Sequence, residues 1–230
     1  MIKEFNCLII DNEDQTSSFE MISKLARDKG LKVNCYQLIV GGSERPDLLT
    51  EGKINLEKVF QALFNEHKRH YDLIAFDWDL EDPEVNGVEL IRHFTARKFR
   101  KNVPKMLYSG ILKDRIRDRF ELYKQGDITL KSAYNEVHTL ITVGVVDFAD
   151  RTKYEEQIIN FLSKVEETTD RIIQLKLREY PNYVFRGVFP PFEGKTLGEI
   201  AEHIDKDVDI GNKFVREFLD QAVASFIDLD

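Results

Sequence analysis

The sequence predicts an α/β protein: a doubly wound, five-stranded parallel sheet followed by an α-helical C-terminal extension. Three observations lead there. Short apolar runs rich in strand formers alternate with segments whose apolar residues recur at helical spacing, the pattern of successive βαβ units. Turn residues such as Gly30, Gly41-Gly42 and Asn86-Gly87 separate them. Four of the apolar runs also stop abruptly at polar groups. Leu8-Ile9-Ile10 ends in Asp11-Asn12-Glu13, and Leu73-Ile74-Ala75-Phe76 ends in Asp77-Trp78-Asp79. Met106-Leu107-Tyr108 ends in Ser109-Gly110, and Ile128-Thr129-Leu130 ends in Lys131. Ligands of open parallel sheets bind beyond the carboxyl ends of the strands, so these groups are site candidates.

Phe5–Ile10 reads as the first strand. A helix follows over 15–28, with Phe19, Ile22, Leu25 and Ala26 on one face and Gly30 as its stop. Val33–Val40 reads as the second strand, and the Gly41-to-Pro46 turn cluster opens a polar insertion. Leu56, Val59, Phe60 and Leu63 mark the second helix, Leu73–Phe76 the third strand, and Val88, Leu90, Ile91 and Phe94 the third helix. Pro104–Tyr108 is the fourth strand, with Pro at the end where a missing N–H is tolerated. Ile116, Phe120 and Leu122 lie on a fourth helix, Asp127–Leu130 is the expected fifth strand, and Val137, Leu140 and Ile141 close the domain. The expected organisation is therefore a sheet domain over 1–145, a long connecting helix within 146–180, and a small helical output or interaction segment over 181–230.

In the connecting helix, Ile158, Phe161, Val165, Ile172 and Leu175 form a stripe over 154–179, a weak heptad seam that makes a homodimer one possibility. Thr196 and Glu199 fit a capping box, and a last helix is expected over 212–227.

Composition limits the function. The chain has 230 residues, net charge −8 and 32% charged residues of mixed sign. Residues 185–230 hold ten acids against five bases, too few phosphate-neutralising cations for a nucleic-acid reader. No apolar run reaches the ~18 residues of a membrane span, so no membrane partner and a cytoplasmic location are expected. Cys7 and Cys35 read as buried free thiols. Asp14 and Asp82 read as solvated loop acids.

The strand-end groups resemble those of the receiver domain of two-component response regulators, over roughly residues 5–142. Asp11-Asn12-Glu13 looks like its acidic stretch, Asp77 matches the phosphoacceptor, Asn86-Gly87 looks like the turn that follows, Ser109 matches the hydroxyl residue and Lys131 the lysine, 22 residues on. The resemblance implies a flavodoxin-like fold and Mg2+ held by Asp11, Asn12, Glu13, Asp77 and Asp79, the last through its main-chain carbonyl. It also implies an aspartyl phosphate on Asp77, with Ser109 and Lys131 moving onto the phosphoryl oxygens. A histidine kinase or phosphotransfer protein would supply the phosphoryl group, and a downstream protein would receive the signal.

This sequence departs from the family at Asn12, where an acid is usual, at Ile128, where an aromatic is usual, and at Ser132, where proline is usual. Arg151, after the run Val145–Asp150, could mimic the lysine, but it stands 42 residues past Ser109 and the spacing argues against it. Two other readings stand beside this one. Asp77 and Asp79 resemble the nucleophile pair of haloacid-dehalogenase-like phosphatases, with Asp147 and Asp150 as later acids. A degenerate receiver could act by binding alone.

Overall fold

The computed structural model of the protein describes residues 2–42, 44–67, 69–97, 103–110, 112–129, 144–165, 169–206 and 208–224. The chain divides into two compact units, Met1–Lys164 and Val165–Asp230. Among the described residues no helix is long and apolar enough to cross a membrane.

The first unit contains β1 (Lys3–Asp11), α1 (Thr16–Asp28), β2 (Leu31–Ile39), a two-stranded hairpin β3 (Leu49–Thr50) and β4 (Lys53–Ile54), α2 (Leu56–Glu66), β5 (Leu73–Asp77), α3 (Gly87–Ala96), β6 (Lys105–Ser109), α4 (Leu112–Gln125), β7 (Val145–Asp150) and α5 (Tyr154–Lys164). The main sheet has the order β2-β1-β5-β6-β7 with every pairing parallel. This is the doubly wound architecture that the alternating pattern predicts. The direction of winding reverses between β1 and β5, which opens a crevice at the carboxyl ends of those two strands. β1 and β5 are central and buried on both faces, so their sequences run apolar without alternation. One core face joins Leu8, Ile10, Ile74, Phe76 and Leu107 to Val59 and Leu63 of α2 and Leu90, Ile91 and Phe94 of α3. Cys7 and Cys35 are neighbours across β1 and β2 and both are free thiols, Cys7 buried and Cys35 half-buried.

The outer strand of the sheet differs from the sequence expectation. Asp127 and Ile128 do not form a strand; Gly126 and Asp127 close α4. Gly126 adopts a positive φ of 83°, its N–H donates to the Tyr123 carbonyl (3.0 Å), and the Asp127 N–H donates to the Leu122 carbonyl (3.0 Å). That pair of bonds is a glycine-terminated helix cap. The strand beside β6 is β7, Val145–Asp150, in register from Met106↔Asp147 to Ser109↔Asp150. It is an edge strand with Val146 and Phe148 exposed, so it lacks the continuous apolar run of a buried strand. Leu130, Lys131, Ser132 and the segment around Val137–Ile141 lie outside the described residues.

The expected single helix over 154–179 is instead two, and the first unit extends past residue 145 to Lys164. α5 ends at Lys164, and α6 (Thr169–Glu179) belongs to the second unit. Ile158, Ile159 and Leu162 of α5 are buried, and the helix packs on α1, where Ser18 donates to Glu155 (3.0 Å). On α6 Ile173 and Leu177 are buried and the stripe residue Ile172 is exposed, whereas on α5 the stripe residue Ile158 is buried, so the stripe is not one continuous buried face.

The second unit adds α7 (Leu197–Lys206) and α8 (Val208–Ala224). Its core joins Ile173 and Leu177 to Phe189, Phe192, Ile200, Ile204 and Phe214. The capping box forms: Glu199 N donates to Thr196 Oγ1 (3.2 Å) and Thr196 N to Glu199 Oε2 (2.7 Å). The aromatic segment before it contributes Phe189 and Phe192 to this core and leaves Tyr183 and Val188 exposed.

Candidate functional site

Four strand ends meet at the crevice: Asp11 from β1, Asp77 from β5, Ser109 from β6, and Arg151 just beyond β7. Asp11 and Asp77 are 0% and 1% exposed, which is rare for carboxylates unless their charge is answered locally.

The loop after β5 is built to hold Asp77 at the crevice. Trp78 N donates to the Tyr108 carbonyl (2.9 Å), extending the ladder one residue past the strand. Asn86 then caps α3 by accepting from Val88 N (2.9 Å) and Glu89 N (3.2 Å). Gly87 is required by contact: a Cβ there would overlap the Asp77 carbonyl oxygen. The Asn-Gly pair read as a turn is thus a cap joined to a close approach. Asp82 is not a solvated loop acid. It accepts from Ile54 N (2.7 Å), Glu84 N (2.9 Å) and Val85 N (2.9 Å), tying the loop to the β4 hairpin. Burial works against its ionisation, but these main-chain donors hold its carboxyl below the usual range.

Asp11 is surrounded by donors. Its Oδ1 accepts from Glu13 N (2.8 Å), and its Oδ2 accepts from Gln15 Nε2 (2.8 Å) and from the Tyr108 hydroxyl. With its amide turned to satisfy both neighbours, Asn12 donates to Asp11 Oδ1 (3.1 Å) and to the Asp79 carbonyl (3.0 Å). Behind this shell Tyr154 donates to Gln15 Oε1, and the Tyr108 and Tyr154 rings stack at 4.3 Å. Burial pushes both phenols well above their ordinary range, with the Asp11 charge adding to the effect on Tyr108, so both remain protonated donors.

Arg151 faces all of the acids. Its Nη1 pairs with Asp77 Oδ2, and its Nη2 donates to Glu13 Oε2 (2.6 Å) and lies 3.5 Å from Asp11 Oδ2. Asp77 Oδ1 accepts from Asp79 N (3.3 Å). Burial raises the Asp77 pKa to about 7; Asp11 adds to the rise and Arg151 only partly offsets it. Asp77 therefore titrates near neutrality, as strongly perturbed groups at functional sites often do.

Of the sequence candidates, Asp11, Asn12, Glu13 and Asp77 come together, with the Asp79 main chain. The Asp79 carboxylate does not join them; it is exposed and accepts from Glu81 N (3.2 Å). Ser109 is buried at the adjoining strand end, and its carbonyl accepts from Arg151 N (3.2 Å). Lys131 lies outside the described residues; Arg151, just beyond the strand beside β6, is the cation that faces Asp77 among the described residues. The spacing argument against Arg151 fails because the connection between α4 and β7 is long. Gln15, Tyr108 and Tyr154 carried no sequence signal. Among the described residues no group of three or more His, Cys, Asp or Glu side chains is arranged to hold a metal ion.

No family model matches the chain, and no curated protein matches it. Among the solved structures similar to it are response regulator receiver domains. One from Methylobacillus flagellatus, described as CheY-like, is 14% identical, covering 72% of this chain and 100% of that one with a TM-score of 0.37. One from Rhodospirillum rubrum is 12% identical over 70% and 95%, with a TM-score of 0.41. The Mn(2+)-bound form of response regulator Rcp1 is 11% identical over 71% and 97%, with a TM-score of 0.40. The fold itself rests on the strand order and register given above: a five-stranded parallel sheet flanked by helices, followed by a helical unit.

Proposed function

We propose that this chain is a receiver-type signalling protein that accepts a phosphoryl group on Asp77 and passes the change to a protein partner through its C-terminal helical unit. The observation that supports it most is the convergence of four strand ends on one buried carboxylate that titrates near pH 7. A carboxylate oxygen of Asp77 attacks the phosphorus of a phosphohistidine or a small phosphodonor. With phosphohistidine the P–N bond breaks and its electron pair stays on the departing imidazole nitrogen, which takes a proton from solvent; with acetyl phosphate the P–O bond breaks and acetate leaves; in both cases an acyl phosphate remains on Asp77. Only ionised Asp77 attacks, and Arg151, at the solvent edge of the pocket, offsets the charge of the incoming phosphoryl group. Ser109 donates a hydroxyl hydrogen bond to a phosphoryl oxygen.

The side chains of Asp11, Asp77 and Glu13 are not grouped here as a metal site, but their oxygens, with the Asp79 carbonyl, are hard donors of the kind that suits Mg2+ and would hold it. When bound, Mg2+ neutralises developing charge on the transferred group. In this reading a histidine kinase or phosphotransfer protein is the donor and the protein works in the cytoplasm. Intact-mass measurement after acetyl phosphate treatment with Mg2+ tests it: wild type gains one phosphoryl unit and Asp77→Asn gains none. Equal labelling of the two, or of neither, refutes it.

A second reading, a receiver that signals by binding alone, has its own support: Arg151 and Asn12 already satisfy the carboxylates without metal or phosphate. The phosphatase reading has none. The Asp79 carboxylate points out of the pocket, and Asp147 sits mid-strand opposite Met106, accepting from its own neighbour Phe148 N (2.8 Å).

A further inference from the structure

The oxygens suited to a cation are already engaged. Arg151 spans Asp77 Oδ2 and Glu13 Oε2 with its two terminal nitrogens and approaches Asp11 Oδ2. The Asn12 amide bridges Asp11 Oδ1 and the Asp79 carbonyl. These two side chains, one cationic and one a neutral donor, touch the same four residues that would otherwise coordinate a metal ion. A guanidinium fork competes with a metal ion for those oxygens, because the two like charges would sit within a few ångström of each other. Arg151 also has somewhere to go: its side chain is 31% exposed, at the solvent edge of the pocket.

We propose that Arg151 is the resident cation of this pocket, and that the guanidinium and a divalent metal ion are alternative occupants of the same carboxylates. The proposal rests on reading the Asp77 pocket as a receiver-type site, but not on phosphoryl transfer. Asn12 reinforces the closed arrangement: where an acid would add charge for a metal, the amide supplies a donor that ties Asp11 to the β5 loop. The pocket is therefore neutralised from within. A metal ion enters only as the arginine swings toward solvent, so metal occupancy and the Arg151–Asp77 pair are mutually exclusive states of one switch.

Mg2+ alone is the probe, titrated into the full chain at constant ionic strength. Binding is read by the fluorescence of Trp78, which adjoins Asp77 and is the one tryptophan of the chain, and by thermal unfolding. Arg151→Gln is expected to bind Mg2+ about tenfold or more tightly than wild type. It is also expected to lose stability without the ion and regain it with the ion, a rescue that wild type does not show. Equal affinity in the two proteins, or no binding by either, overturns the proposal. If Arg151→Gln does not fold under either condition, Arg151→Lys decides. One ammonium cannot span Asp77 and Glu13 as the fork does, so its Mg2+ affinity must exceed that of wild type, and an unchanged affinity is equally fatal. Mass labelling by a phosphodonor is scored separately. Absent labelling with competition intact removes only the phosphoacceptor reading.

Discussion

At the scale of single residues, Asp77 ionises at a cost to the fold. Its pKa in the folded protein, about 7, lies above the 3.8 of a free carboxyl, first because of burial and then because of Asp11. Its contribution to stability is thus fully present below about pH 4 and is lost as pH rises through about 7. Asp77→Asn cannot ionise and escapes that loss. The variant is expected to gain on wild type from pH 5 to pH 8, by up to a few kcal/mol, seen as a widening difference in urea midpoints. A constant difference across that range contradicts the assignment. By the same titration, phosphoryl acceptance by wild type should quicken as pH rises through about 7, measured as labelling rate by mass. Tyr108 offers a second test. Its hydroxyl serves one oxygen of fully buried Asp11, so Tyr108→Phe leaves that acceptor short of a donor, at a cost of about 1–3 kcal/mol. Denaturant unfolding measures it, and a neutral result means that Gln15 and Glu13 suffice.

At the scale of elements, the start of α3 and the burial of α5 are the sensitive points. Asn86→Ala removes a cap worth about 1 kcal/mol, whereas Gly87→Ala forces a Cβ into the Asp77 carbonyl and moves the acceptor itself. Gly87→Ala is expected to cost more than about 2 kcal/mol and to slow labelling of Asp77, while Asn86→Ala slows it little. Calorimetry with the mass assay separates the two. The apolar side of α5 is already covered by its own unit. Ile158→Ala therefore lowers stability by about 2–5 kcal/mol without changing the particle mass in light scattering. A change of mass would instead restore the heptad seam as a dimer contact. The capping box before α7 and the glycine stop after α1 were legible in the sequence because both are local devices, complete within a few residues. The identity of the outer strand was not. β7 is an edge strand with Val146, Asp147 and Phe148 exposed, so it lacks the apolar run of a buried strand, and Asp127, where the expected strand begins, instead helps to end α4.

At the scale of the whole molecule, the boundary after Lys164 makes its own prediction. A fragment of residues 1–164 is expected to unfold cooperatively in urea with native-like circular dichroism. A fragment of 1–145 lacks nearly all of β7, Arg151, Tyr154 and α5, and should not. Cooperative unfolding of the shorter piece would move the boundary back to the position that the alternating strand and helix pattern suggests.

By itself the sequence determined that this is a parallel α/β sheet with carboxylates at the ends of its central strands, because helical and strand periodicities and turn residues are local properties of the chain. It also placed Asp11, Asp77 and Ser109 at one end of that sheet. Only the tertiary structure decided which strand stands beside β6, and so which cation faces Asp77. Strand pairing is non-local, the length of a connection does not constrain its end point, and the pocket is closed by Arg151, Gln15, Tyr108 and Tyr154, which meet only once the sheet and α5 are assembled.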